Sequence, residues 1–273
     1  MTPARSRLIV SGCAVAIAAI LAADTAAYAQ TTQPAARSAA ADVPEEQPAL
    51  AAPVGPGVLK LVADTMKDFK QLPTRETFMW LTMGAGASIV ALPSDARVTT
   101  TLASSNALHD TLASGDIIGG AAVQLGGALA TYTIGRLTGN RLVTSVGADL
   151  VQAQAVAESM TMVLKVSVRR TRPDGASFSF PSGHAAAAFG SATVLEKHFG
   201  WKAGIPAYTV ASYVAASRIQ MKRHYLSDVM FGAAIGVTAG RTVTIGCGDR
   251  RFVVSPTAAP GGGGIALSWI GQR

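Results

Sequence analysis

The sequence predicts an all-α protein, a bundle of about six or seven helices with a short C-terminal β-hairpin. Three observations support this fold class. Hydrophobic residues make up 49% of the 273 residues and charged residues only 14%, against roughly 25% charged residues in average soluble domains. Alanine dominates the apolar segments, where β-branched alternation is scarce. Glycine or proline marks the ends of these segments, as expected for helices.

The first 57 residues predict two segments outside the helical body. Residues 1–29 have the order of a secretory signal peptide, with two arginines, an apolar stretch and a small-residue cleavage site that ends at Ala29. The apolar stretch is short for a membrane span, which needs about 20 residues, and an uncleaved anchor is the alternative. Residues 30–57 are rich in Ala, Pro, Gln and Thr and predict a disordered linker. We therefore expect export to the periplasm or cell envelope.

Seven apolar segments predict the helices of the body, which we place at residues 58–248. The first begins near residue 58, is amphipathic and ends at Pro73. The others lie at about 77–92, 117–135, 142–168, 185–199, 204–218 and 226–245. One of them, 117–135, is uncharged and almost long enough to span a membrane. A soluble bundle and a partly embedded one both fit the sequence.

The tail, residues 249–273, differs from the body. Two short β-prone runs, 252–255 and 265–270, flank a turn rich in proline and glycine. This pattern predicts a terminal hairpin.

Three short clusters carry the candidate chemistry, and the first is KVSVRRTRPDG. Lys165 and Arg172 stand two helical turns apart, which predicts that they share one face of a helix that Pro173 ends. A solvated basic helix end, favoured by the helix dipole, is the simpler alternative. Between them, Arg169 and Arg170 are interpreted as part of a solvated basic rim.

The second cluster is FPSGHAAAAFG. Ser182 is a good cap for a helix that begins near Gly183, and the free amides of such a helix start form an anion site. Glycine lets a ligand approach the backbone, and His184 adds a proton donor. The alternative is a plain helix start with an incidental histidine.

The third cluster is SRIQMKRHYLSDV. His224 and Asp228 are four residues apart, so on a helix the carboxylate can reach the imidazole. A carboxylate bonded to one ring nitrogen leaves the other nitrogen free as a nucleophile or base. Arg218 lies six residues before His224. A helix-stabilising His–Asp pair beside a surface arginine is the alternative.

Together the clusters supply three cations, one helix start, two histidines and one carboxylate, a set suited to phosphoryl transfer. The formal charge of +7 also suits an anionic partner. In this chain the pattern K-x6-RP, PSGH and SR-x5-H-x3-D occupies residues 165–173, 181–184 and 217–228. All of its positions, in order, resemble the signature of the type 2 phosphatidic acid phosphatase and vanadium haloperoxidase superfamily.

The resemblance implies a role for each residue. His224 would attack phosphorus and form a phosphohistidine, with Asp228 holding its other ring nitrogen. His184 would protonate the leaving oxygen and then activate water. The groups that would bind the phosphoryl oxygens are Lys165, Arg172, Arg218, Ser182 and the Gly183 amide. The resemblance implies neither a metal nor another cofactor.

The sequence therefore predicts an exported phosphatase for phosphate monoesters or lipid-linked phosphates. A vanadate-dependent haloperoxidase is one alternative, disfavoured because no cofactor-specific feature stands out. A non-catalytic phosphate- or lipid-binding envelope protein is another, disfavoured because binding alone does not need both histidines. The expected partner is a phosphorylated small molecule or lipid, with association with a membrane and without nucleic acid. The oligomeric state is not predicted.

Overall fold

The computed structural model describes residues 57–72 and 74–244, and the backbone of 251–259 and 262–270. The predicted signal peptide and all but the last residue of the predicted linker lie outside the described residues.

The described body is helical, as predicted. Seven of its helices, each of 14 or more residues, correspond to the seven predicted segments, whereas three shorter helices between residues 95 and 118 were not predicted as separate elements. In chain order the helices are α1 (Val58–Gln71), α2 (Arg75–Ala91), α3 (Asp95–Ala103), α4 (Asn106–Leu112), α5 (Gly115–Ile118), α6 (Ala121–Thr138), α7 (Arg141–Val168), α8 (Gly183–Phe199), α9 (Trp201–Gln220) and α10 (Leu226–Val243).

The predicted segment 117–135 is not one continuous helix. It is broken at Gly119 and Gly120, and the chain bends by 49° between the helices on either side. A Cβ atom on Gly119 would lie 2.3 Å from Val214 Cγ1 and 3.2 Å from His184 Cδ2. Glycine is therefore required here, because the backbone passes directly against α9 and the start of α8.

Helices α8 and α10 pack with their backbones in contact. Gly232, Gly236 and Gly240 recur at four-residue spacing along α10 and face α8. A Cβ on Gly236 would lie 2.3 Å from the Ala186 carbonyl oxygen, and a Cβ on Gly232 would lie 2.5 Å from that of Ser182. This close approach brings the first turns of the two helices together.

Buried aliphatic side chains complete the core around this pair. Val156 on α7 and Ile235 on α10 are fully buried in one cluster, and Val214 on α9 packs against the alanines of α8 in another. Four helices, α7 to α10, thus surround one shared core, with α2 packed on the outer side of α10 through Gly84 and Ala234.

One described helical stretch is long and apolar enough to cross a membrane. It runs from Arg75 to Ala103 through α2 and α3, and only 22% of its most apolar part is buried in the protein. Exposed side chains on it include Phe78, Ile89 and Val90. Length and composition alone are weak evidence for a span.

Two C-terminal strands, β1 (Arg251–Ala259) and β2 (Gly262–Ile270), pair antiparallel with Arg251 opposite Ile270. The hairpin as a part of the fold stays a prediction, since residues 245–250, which join it to the helices, lie outside the described residues. The fold class rests on the helical body.

Candidate active site

The predicted site residues meet where four helix ends converge. The carboxyl-terminal ends of α7 and α9 supply Lys165 and Arg218, and α8 and α10 begin beside them. The Ser182 N–H donates to the Asp228 carbonyl at 3.0 Å, and the His224 N–H donates to the Arg218 carbonyl at 3.2 Å. Arg170 of the first cluster also donates to Asp228 Oδ1 at 2.7 Å, so the three sequence clusters form one site.

The first cluster is not on a single helix face. Helix α7 ends at Val168, because Arg169 adopts a left-handed conformation with φ of 51°. Arg172 lies in the following turn, and its N–H donates to the Ala176 carbonyl at 2.7 Å. Pro173 lies beyond this point, so the left-handed Arg169, and not Pro173 as predicted, ends the helix. The turn still brings Arg172 close enough for its charge to lower the pKa of Lys165, after burial as the larger cause.

The start of α8 agrees with the prediction. Ser182 is the N-cap, fully buried, and its hydroxyl accepts a long hydrogen bond from the Ala185 N–H at 3.4 Å. A Cβ on Gly183 would meet Glu158 and Thr161 only at 3.6 Å, an ordinary contact. The amino end of α8 thus presents its free amides beside the basic residues.

His184 sits between a cation and a carboxylate. Its Nε2 lies 3.4 Å from Oδ1 of Asp116 on α5, and Asp116 is also the ion-pair partner of Arg218. Burial and then the charge of Arg218 lower the pKa of His184 to about 4, although Asp116 acts in the opposite direction. His184 is therefore neutral near pH 7.

His224 is buried, with 3% of its side chain exposed. Nδ1 lies 2.6 Å from the carbonyl oxygen of Ser179, and since a carbonyl only accepts, Nδ1 carries the proton. Burial, followed by the charges of Lys165 and Arg218, holds the pKa of His224 well below its ordinary value of 6.5. The imidazole is therefore neutral, with the lone pair on Nε2.

The predicted bond between Asp228 and His224 is not formed. Nδ1 and Oδ2 are 3.9 Å apart, because His224 precedes α10 and only Asp228 lies on the helix. The carboxylate instead accepts hydrogen bonds from the Ser179 hydroxyl, the Tyr225 N–H and Arg170.

The interpretation of Arg170 as part of a solvated rim is wrong. Its Nη1 donates to Asp228 Oδ1 at 2.7 Å, and its Nη2 donates to Asp95 Oδ2 at 2.8 Å. Its guanidinium also lies 4.3 Å from the centre of the Tyr225 ring. Arg169 beside it is exposed and bonds to the Val166 carbonyl of its own helix.

Four residues of the site were not predicted: Asp95, Asp116, Arg170 and Ser179. Asp95 and Asp116 lie at the starts of short helices, far from the motifs in sequence, and nothing near them signals the contact. Ser179 and Arg170 lie within or beside the motifs, so proximity to them was the available signal.

The arrangement is suited to binding an anion. Three cations and a helix start surround two neutral imidazoles, and the Nε groups of Arg172 and Arg218 are buried without an acceptor among the described residues. Buried donors in proteins are nearly always satisfied. A tetrahedral oxyanion would supply several acceptors at once.

Fold and site together define a helical protein with a basic, two-histidine anion site. Residues 146–251, which hold all eight predicted site residues, match the model of the PAP2 superfamily. The resemblance predicted from the three clusters is confirmed over this segment.

Two curated relatives match parts of the chain. Lipid A 1-phosphatase of Porphyromonas gingivalis is 43% identical over 90 residues, which cover 32% of this chain and 20% of that protein. Decaprenylphosphoryl-5-phosphoribose phosphatase of Mycobacterium tuberculosis is 35% identical over 108 residues, 35% of this chain and 59% of that protein. The chain thus spans about a fifth and about three fifths of these relatives.

Among solved structures, Aquifex aeolicus LpxE superposes with a TM-score of 0.47 at 21% identity, covering 55% of this chain and 94% of that one.

Proposed function

We propose that the protein is a phosphatase that hydrolyses phosphate monoesters through a covalent intermediate on His224, with lipid-linked phosphates as its substrate class. The observation that carries the proposal is the state of His224. It is a buried, neutral imidazole whose Nδ1 proton is fixed by the Ser179 carbonyl, among the charges of Lys165, Arg172 and Arg218. A fixed tautomer of this kind is what nucleophilic catalysis by histidine requires.

In the first step Nε2 of His224 attacks phosphorus, and the bond from phosphorus to the ester oxygen breaks. The leaving oxygen takes a proton from His184. In the second step His184 takes a proton from water, the resulting hydroxide attacks phosphorus, and the P–N bond breaks to return the electron pair to Nε2. The cations stabilise the charge on the phosphoryl oxygens in both transition states.

His184 must be protonated for the first step, although the pKa in the empty site is about 4. A bound phosphoryl dianion raises the pKa, because a nearby negative charge favours the charged imidazole. Binding of the phosphoryl dianion thereby makes His184 take up from solvent the proton that it donates to the leaving oxygen.

A groove beside the site supports a lipid substrate. It has a volume of about 330 Å³ and a mostly apolar wall, and Arg170 forms part of it. The apolar lining includes Ile89, Leu92, Val168, Phe180 and Phe231. The same arginine binds Asp228, so the groove adjoins the phosphate site. The names of both curated relatives refer to phosphatases of lipid-linked phosphates, which is in keeping with this substrate class.

The test is phosphate release from p-nitrophenyl phosphate and from phosphatidic acid by the wild type and by His224→Ala. We expect turnover in the wild type and none in the variant. With a ³²P-labelled substrate, rapid quenching should trap protein-bound label that is lost in acid and kept in base, as for a phosphohistidine. With p-nitrophenyl phosphate, whose leaving group needs little help from an acid, His184→Ala should accumulate this label, because hydrolysis of the intermediate slows by about 10²–10⁴-fold when its acid–base group is lost.

Three results would replace the proposal. Phosphate binding without turnover would indicate a binding protein. Bromide oxidation that needs vanadate and peroxide, without phosphate release, would indicate a haloperoxidase. Turnover that survives in His224→Ala would remove the phosphohistidine.

A further inference from the structure

Ser179 is bonded to the site from three sides. Its N–H donates to the Arg170 carbonyl at 2.7 Å, its hydroxyl donates to Asp228 Oδ2 at 2.5 Å, and its carbonyl accepts from Nδ1 of His224 at 2.6 Å. The residue is completely buried. Hydrogen bonds therefore fix the N–H, the hydroxyl and the carbonyl of Ser179, and the carbonyl is the group that contacts the imidazole.

The carboxylate of Asp228 is already occupied by other donors. Oδ1 accepts from Arg170, and Oδ2 accepts from the Ser179 hydroxyl and from the Tyr225 N–H at 2.8 Å. The only proton on the neutral imidazole of His224 is donated to Ser179, and 3.9 Å is beyond hydrogen-bond range. The hydrogen-bonded path from the Asp228 carboxylate to the His224 imidazole therefore runs through Ser179.

A second buried carboxylate extends this path. Asp95 accepts from Arg170, and it also accepts from the N–H of Ser227 at 2.9 Å and from its hydroxyl at 2.5 Å. Arg170 thus lies between two buried carboxylates and offsets the charge of both. It fixes Asp228 on the side away from Ser179.

We propose that Ser179 is the positioning residue of the nucleophile, and that Asp228, Arg170 and Asp95 act on His224 through it. The inference rests on the proposed function, since it assigns these residues to the reaction of His224. Ser179 and Asp228 then fix the orientation of the His224 imidazole together. The hydroxyl of Ser179 matters only while a carboxylate at position 228 receives its proton.

A double-mutant cycle tests this coupling. Ser179→Ala should lower kcat about 10- to 100-fold, the usual worth of a hydrogen bond to a charged group, with the KM for p-nitrophenyl phosphate little changed. Asp228→Ala should lower kcat at least as much. In the double variant, the loss of the hydroxyl should cost less than about twofold beyond Asp228→Ala, because its partner is already gone. Thr242→Val, which removes a buried hydroxyl that donates to the Thr238 carbonyl within α10, should leave kcat unchanged.

A measurement on the resting protein is independent of turnover. The ¹⁵N resonances of His224 should show a single tautomer, protonated on Nδ1, in the wild type and in Thr242→Val. Ser179→Ala should give a mixture of tautomers at a temperature where the variant is still folded. Inactivity of the wild type would refute the proposed function without touching this result. Additive losses in the cycle, or an unchanged tautomer in Ser179→Ala, would overturn the role of Ser179.

Discussion

The two imidazoles of the site lie among ammonium and guanidinium groups, and burial adds to the effect of these charges. Both pKa values are lowered, that of His184 to about 4. A neutral His224 suits the nucleophile that we propose. A neutral His184 does not suit an acid, so the acid becomes available only when an anion occupies the site.

Anion binding should therefore take up a proton at His184. The imidazole is protonated below about pH 4 in the empty site and to a higher pH when an anion is bound. Sulfate affinity should fall as the pH rises from 5 towards the pKa of the complex, by up to about tenfold per pH unit. Titration calorimetry from pH 5 to 8 measures this, and the charge of sulfate stays constant over that range. His184→Asn should bind with little pH dependence, and a flat profile in the wild type would contradict the prediction.

Arg170 and Arg169 form a matched pair of neighbours with opposite surroundings. Arg170→Ala leaves Asp95 and Asp228 buried without their shared cation, so we expect a loss of about 2–4 kcal/mol in the free energy of unfolding and a lower kcat. Arg169→Ala removes an exposed side chain and should change stability by less than about 0.5 kcal/mol. Thermal unfolding and phosphate release measure the two effects. Equal losses in both variants would contradict the assignment.

The eight predicted site residues could be found from the sequence because each lies in a short motif with a fixed spacing between its residues. Arg170 was missed because a run of arginines does not indicate which member turns inward. That choice depends on Asp95, which is 75 residues away in sequence. Asp116 was missed for the same reason, since its contact with Arg218 spans 102 residues.

At the scale of elements, the packing of α10 against α8 controls the geometry of the site. A Cβ on Gly232 would lie 2.5 Å from the Ser182 carbonyl oxygen, a backbone atom that cannot move without shifting the helix start. Gly232→Ala should therefore reduce stability by about 1–3 kcal/mol, as overpacking does, and weaken phosphate binding. Gly86→Ala on α2 meets no atom within 4 Å and should stabilise the protein by about 0.5–1 kcal/mol. Chemical unfolding of the two variants is the measurement, and an equally stable Gly232→Ala would refute the argument.

Helix α1 carries a buried acid in Asp68, which is 8% exposed. Burial, and then the negative charges of Asp149 and Asp64, raise the pKa of Asp68 to about 6 from 3.8. The folded state thus holds this proton more tightly than the unfolded chain does. The protonated Asp68 therefore contributes its full stabilisation of the folded state below about pH 4, and this contribution is lost as the pH rises through 6.

Asp68→Asn should accordingly be more stable than the wild type by about 1–3 kcal/mol at pH 8, with the difference vanishing near pH 4. The free energy of unfolding, measured across this range, checks it. Asp110→Asn on α4 is the control, since Asp110 is exposed and is not one of the charges that shift the pKa of Asp68. Its stability should vary with pH as that of the wild type does. Equal stability of Asp68→Asn and wild type at pH 8 would contradict the prediction.

The long helices could be predicted because alanine-rich segments bounded by glycine and proline leave few alternatives. The break at Gly119 and Gly120 was missed because its cause is tertiary, the close approach of Val214 and His184. The early end of α7 was missed because Arg169, a residue that normally favours helix, takes the left-handed cap. Local propensity does not contain these contacts.

For the molecule as a whole, the exposed apolar surface of α2 and the groove beside it indicate association with a membrane. Phe78, Ile89 and Val90 are between 65% and 80% exposed, and burial of such side chains in lipid is favourable. The fraction of protein that stays in the pellet after a carbonate wash tests this association.

Ile89 and Val90 are adjacent, but only Ile89 lines the groove. Ile89→Trp should fill part of the groove and raise the KM for long-chain phosphatidic acid about 3- to 10-fold, a cost of roughly 1 kcal/mol that is usual for overpacking. The KM for p-nitrophenyl phosphate should not change. Val90→Trp should affect neither substrate, and an equal effect of both variants would remove the groove from the binding of the lipid.

The glycine contact between α8 and α10 also limits how the protein can move during turnover. Because the two backbones touch at Gly232, Gly236 and Gly240, no layer of side chains separates them that could slide or open. His184 is in the first turn of α8 and His224 lies just before Tyr225, the N-cap of α10, so the packing of the two helices sets the distance between the proposed acid and the proposed nucleophile. The proposed reaction on a single phosphoryl group should therefore need no closing movement of these two helices.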